Sequence, residues 1–203
     1  LATHTDTPEY RGLSKKQVPE WLLVVMAHSG LFEQWRIKIA AAVSFFAPCE
    51  EGDFVLYPEG VSGEIAHVPV RQNTAVVLDT DEIFHGVERV GSPDAAAPPS
   101  EIGMGLTWTG ETWDVGFDGE EPVAKYPWGG LRFSLQWKAY GYRDLAEKQL
   151  IADHSDDLSE SMVREALIQD MRLREVITDT VPDDTDLALA MIDTYVQFPG
   201  WPS

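Results

Sequence analysis

The chain carries a single cysteine, Cys49, in 203 residues. One thiol excludes an intrachain disulfide framework and fits a reducing compartment. Basic residues are also scarce: 15 Lys and Arg stand against 34 Asp and Glu, a formal charge of −19. A surface of that sign repels phosphate backbones and anionic headgroups, so neither nucleic acid nor a membrane surface is expected as a partner. Long hydrophobic runs are missing too. The longest, 21–27 and 39–48, are too short to span a bilayer. No signal-like segment opens the sequence, and a cytoplasmic location is expected. The first residue is Leu1 rather than Met, so the expectation is a fragment or a processed chain.

What is present suffices for a sizeable core, with one domain plus an appendage as the natural arrangement. Segment 35–47 is rich in β-formers, and 54–57, 64–70 and 74–79 follow between Gly- and Asn-bearing turns. A strand over 84–90, a hairpin of 103–108 and 111–117 about Thr109-Gly110, and a strand over 131–140 complete the set. Short strands at this spacing predict a jelly roll or barrel. Pro19 and Gly30 bracket a helix over 20–29, with Trp21, Leu22, Val25 and Met26 on its apolar face. From Asp144 onward the pattern turns helical. Asp157-Leu158-Ser159-Glu160 resembles a capping arrangement ahead of a helix over 162–177. A second helix over 184–196 repeats Leu187, Met191 and Tyr195 at i+4. These helices are expected to brace the sheet or to supply a homodimer contact. The expected class is mainly β with flanking helices: a core over 1–143 with an insertion at 92–130, then a helical appendage over 144–203.

The residues that carry chemistry begin with His4-Thr5-Asp6. Residues two apart on a strand share a face, so His4 and Asp6 can aim at one point, and His85 from a neighbouring strand would complete a triad. Two imidazoles and a carboxylate, with other positions open, suit non-haem Fe(II). On the late strand Leu131, Phe133, Leu135 and Trp137 alternate with Arg132, Ser134, Gln136 and Lys138. Arg132 can clamp a carboxylate with its planar fork while Ser134 adds a hydroxyl donor. The Pro- and Ala-rich stretch 92–100 reads as a loop or flap. Trp108, Trp113, Tyr126 and Trp128 form either an aromatic wall over a substrate or a cover for the sheet. Tyr10, in the turn-rich exit 7–12, joins Trp113 and Trp128 as a candidate substrate contact. His67 reads as a surface histidine, and His28 as one in a helix's last turn, where the dipole favours a cation.

The ordered set His-x-Asp, a distal His followed by Gly-Val, and Arg-x-Ser in a late strand resembles the Fe(II)/2-oxoglutarate-dependent oxygenases over residues 4–140. Segments 54–60 and 73–79 resemble that family's hairpin and the strand leading to its distal His. The resemblance implies a double-stranded β-helix core of the cupin-like jelly-roll kind. It implies His4, Asp6 and His85 as Fe(II) ligands, and Arg132 with Ser134 on the distal carboxylate of 2-oxoglutarate. The implied reaction consumes O2 and hydroxylates a C–H bond of a small molecule, with the cofactor supplying the hard chemistry. The chain departs from the family in starting almost at His-x-Asp, without the N-terminal helices and first core strand, and in the long gap from His85 to Arg132. In the family's halogenases a Gly or Ala replaces the carboxylate, and His28-Ser29-Gly30 would then supply the proximal ligand. Two other classes stand beside these: a cupin-like metal protein that does not use 2-oxoglutarate, and a non-catalytic β-scaffold interacting through its acidic surface and C-terminal helices.

Overall fold

The structure is a computed structural model and describes residues 3–92, 94 and 100–197. Most of the flap segment expected at 92–100 lies outside the described residues. Helix α1 (Glu20–Ser29) begins after Pro19, whose φ of −61° is set by its ring, and stops at Gly30. Gly30 takes a left-handed φ of 69° and returns its N–H to the Ala27 carbonyl at 3.4 Å. Leu22, Leu23, Val25 and Met26 are buried, whereas Trp21 lies at the surface.

The strands are β1 (Lys38–Phe45), β2 (Phe54–Tyr57), β3 (Ala66–Val68), β4 (Thr74–Leu78), β5 (Phe84–Val87), β6 (Gly105–Trp108), β7 (Trp113–Gly116), β8 (Ala124–Tyr126) and β9 (Ser134–Gly141). They form three small sheets, ordered β4-β1-β9, β3-β2-β5 and β6-β7-β8. Every pairing resolved residue by residue is antiparallel. The chain is thus β-rich and carries four α-helices among its described residues. None of these helices is long and apolar enough to cross a membrane.

Several strands are shorter than the sequence pattern, and the late strand expected over 131–140 begins only at Ser134, so Arg132 precedes the strand instead of lying on it. The expected strand over 64–70 pairs only across Ala66–Val68, and 84–90 only across Phe84–Val87. Strand β8 had no separate signal: it is three residues long between Pro122 and Pro127.

The residues fall into two compact units, 1–5 with 41–138 and 6–40 with 139–203. The division therefore does not follow a break at 143/144. Segment 6–40 closes up with the C-terminal helices instead.

In the first unit, Val43 and Phe45 of β1, Leu78 of β4 and Phe54 of β2 share one apolar cluster with Cys49 and Val70. Sheets β4-β1-β9 and β3-β2-β5 both contribute to it.

In the second unit, Tyr10, Leu13, Phe32 and the buried face of α1 pack with α3 (Glu160–Leu173) and α4 (Asp184–Tyr195). Each Leu- or Met-sized side chain withdrawn from water there stabilises by roughly 1.5–3 kcal/mol. Caps fix the helix starts: Ser159 accepts from the Met162 N–H, and Asp183 from those of Thr185 and Asp186. Helix α3 stops at Leu173 rather than 177, because Arg174 caps it and Glu175 adopts a left-handed φ of 59°. Helix α2 (Leu145–Ala152), which apolar spacing did not announce, starts at Asp144, whose carboxylate accepts from the Glu147 N–H at 2.8 Å. Leu187, Met191 and Tyr195, the face of α4 offered for burial, are spent within this unit.

Candidate metal centre

His4 and His85 exchange two backbone hydrogen bonds, His4 N–H to His85 O at 3.0 Å and His85 N–H to His4 O at 2.9 Å. This is one isolated antiparallel bridge rather than a strand. Directly opposed residues of such a pair project to the same side of the sheet. The two imidazole rings accordingly lie 4.6 Å apart between centroids. On β5, His85 is 5 % exposed and faces inward with its register partner Leu56, its ring stacking on Phe54 at 5.7 Å. Its Nδ1 lies 2.9 Å from the Ile83 carbonyl. A carbonyl only accepts, so Nδ1 carries the proton and Nε2 keeps the lone pair that a metal requires.

Asp6 is tied to His4 by two peptide links, so its position follows from the local chain. Ligand atoms of His4, Asp6 and His85 lie within 4.8 Å of one another. An ion held at ~2.1 Å from each needs only small side-chain rotations. The donor set, two imidazoles and one carboxylate on a partly enclosed face, fits a divalent first-row ion.

Arg132 lies over the same apolar cluster, its guanidinium carbon 5.1 Å from the centroid of the Phe45 ring. Its Nη1 donates to Ser134 Oγ at 3.1 Å, whereas Nε and Nη2 are buried with no hydrogen-bond partner. Burial presses its pKa below the ordinary arginine value, and Cys49 nearby acts in the opposite sense. It still remains a cation at any physiological pH. Two buried charged N–H groups left unmatched are costly, and a carboxylate presented edge-on would satisfy both.

The remaining sequence candidates are scattered. Tyr10 is 3 % exposed and belongs to the helical unit's core, which keeps its ring from any dissolved ligand. His28 sits in the last turn of α1, and burial lowers its pKa, against the cation-stabilising dipole expected there. It stands in neither group of potential metal ligands found among the described residues. Trp113 and Trp128 stack 5.8 Å apart, Trp108 leans on both, and Trp113 meets Phe133 at 4.8 Å. Trp113, Trp128 and Phe133, with Phe46, Ala47 and Leu135, line an apolar recess of about 400 Å³, beside which the Trp113 Nε1–H is buried without an acceptor.

One group went unnoticed in the sequence: Asp53, His67 and Glu88 also bring potential ligand atoms within 4.8 Å of one another. They lie 14 and 21 positions apart, and only strand register joins them. Compared with family models, with curated proteins and with solved structures, the chain matches none.

Proposed function

We propose that the chain is an Fe(II)- and 2-oxoglutarate-dependent oxygenase that hydroxylates a C–H bond of a small molecule. The observation that carries this reading is the convergence of His4, Asp6 and His85 on one point beside the apolar cluster that also underlies Arg132. The strand orders support a jelly roll. The chain enters one sheet at β1, passes to the other for β2 and β3, returns for β4, crosses for β5 and returns for β9.

His4, Asp6 and His85 would hold the iron, and the bound iron with 2-oxoglutarate and O2 would supply the oxidising power. The Ile83 carbonyl engages the His85 Nδ1, which leaves Nε2 as the ring nitrogen that would face the iron. Asp6 contributes the one negative charge of the set. Arg132 orients the co-substrate by taking its distal carboxylate on Nε and Nη2, while its bond to Ser134 holds the guanidinium plane. The surrounding side chains of Phe45, Phe54 and Leu56 exclude water from that approach.

A cupin-like metal protein without 2-oxoglutarate would keep the imidazoles and have no use for the unmatched guanidinium. Anaerobic titration separates the two. The chain should take up one equivalent of Fe(II), and 2-oxoglutarate should bind in its presence. His4→Ala and His85→Ala should each abolish iron uptake with the far-UV spectrum unchanged. Iron binding at full stoichiometry in both variants sinks the reading. Iron binding without any affinity for 2-oxoglutarate favours the cupin-like alternative. Succinate release against candidate substrates then addresses turnover.

A further inference from the structure

We propose that Asp53, His67 and Glu88 form a second cation site, for a divalent transition-metal ion, on the face of the β3-β2-β5 sheet opposite His85. The register places them there. Phe54, Leu56, His85 and Val87 share one face across β2 and β5, so Asp53 and Glu88, each one residue from that set, turn to the other. His67 pairs with Val55 and joins them. The Glu88 N–H donates to the Asp53 carbonyl at 2.9 Å, extending the ladder by one step and setting two carboxylates side by side.

Like charges directly across a sheet repel, and in a chain of formal charge −19 no excess of cations offsets them. The imidazole alone does not resolve the contact. His67 Nδ1 stands 3.6 Å from Glu88 Oε1 and 3.9 Å from Asp53 Oδ2, beyond hydrogen-bond range for both. Two ligands of a tetrahedral ion, each at ~2.1 Å, keep about 3.4 Å between their atoms. Both separations are those of loose ion pairs with a charged imidazole, and they equally match ligands around a shared ion. One imidazole and two carboxylates suit Zn2+ or its first-row neighbours, with solvent completing the shell. The partial exposure of His67 and Glu88 leaves the site open to entering ions.

Zn2+ titration of the full chain by calorimetry tests this, using His67→Ala, the near-isosteric Glu88→Gln, and His85→Ala for the other set. Both new-site residues are 48 % exposed, so the variants should keep the wild-type circular dichroism. The wild type should take up two equivalents. His67→Ala and Glu88→Gln should weaken the same one by at least about tenfold, and His85→Ala only the other. If the wild type takes a single equivalent that His67→Ala removes and His85→Ala does not, this site stands and the iron assignment falls. A single equivalent lost only in His85→Ala, or a second equivalent unchanged in His67→Ala and Glu88→Gln, overturns the proposal.

Discussion

Arg11 and Asp156, 145 positions apart, meet as a two-pronged pair, Nε to Oδ1 at 2.8 Å and Nη2 to Oδ2 at 2.6 Å. Arg11 is 6 % exposed, and the Trp35 indole N–H donates to the Asp156 backbone carbonyl at 3.0 Å. This pair pins the turn after Tyr10 to the segment ahead of α3.

Removing the carboxylate strands a buried guanidinium. Because Asp156 is itself 35 % exposed, the cost of Asp156→Ala should fall between the ~1 kcal/mol of a surface pair and the ~3–5 kcal/mol of a fully buried one. A urea midpoint lowered by about 2 kcal/mol of stability is expected. A midpoint equal to the wild type's would make the pair ornamental.

Gly12 follows directly, with φ at 85°. A Cβ there would stand 2.5 Å from the Leu158 carbonyl oxygen and 2.8 Å from the Asp157 Cβ. Gly30 shares the left-handed conformation, yet a Cβ on it meets nothing within 4 Å. Gly30→Ala should therefore cost only the conformational ~1–2 kcal/mol, and Gly12→Ala clearly more. Equal losses in thermal denaturation would show that the clash is relieved by a backbone shift.

The Arg132 assignment predicts a graded response. Arg132→Lys keeps the charge and loses the fork. Charge-assisted hydrogen bonds contribute about 1.5–3 kcal/mol, so 2-oxoglutarate affinity should fall roughly ten- to a hundredfold while Fe(II) stoichiometry stays at one. Isothermal titration in the presence of iron reads both quantities. Unchanged affinity would hand the anchoring role to another cation.

Acid sensitivity should be traceable to Asp170. Burial by itself raises its pKa, but the Tyr195 hydroxyl at 2.7 Å and the Arg174 guanidinium outweigh that and leave it below the ordinary aspartate value. A carboxyl depressed in the folded state stabilises above its unfolded pKa of about 4, and that contribution fades as pH drops through the folded value. The stability gap between wild type and Tyr195→Phe should thus be widest near neutral pH and shrink as the pH falls below the ordinary aspartate pKa of about 4. A gap of constant size in urea melts would mean that Tyr195 acts through packing alone.

How much of this was legible depended on whether the signal was local. Helix α1 stands where Pro19 and Gly30 put it, and β2 matches the expected 54–57. Helix α2 was legible only as a turn to helical character at Asp144, without bounds, because it buries no residue. The pairing of 6–40 with the C-terminal helices rests on contacts such as Arg11 to Asp156, which no periodicity encodes. The same holds for the sites. His4 and Asp6 are adjacent in a motif and could be read. Asp53 and Glu88 gain meaning for His67 only once β2, β3 and β5 are in register.

His4 and His85 are 81 positions apart in the chain, yet one backbone bridge holds them together. An ion gripped by both imidazoles would act as a removable cross-link across that long loop. Covalent closure of a loop of this length limits the unfolded chain by about 4–5 kcal/mol, and coordination restricts it in the same sense while the metal stays bound. Loading and fastening would then be one event. A chelator that empties the centre would also unclasp His4 from β5, and amide exchange at His4 would quicken before the apolar cluster beneath it was disturbed.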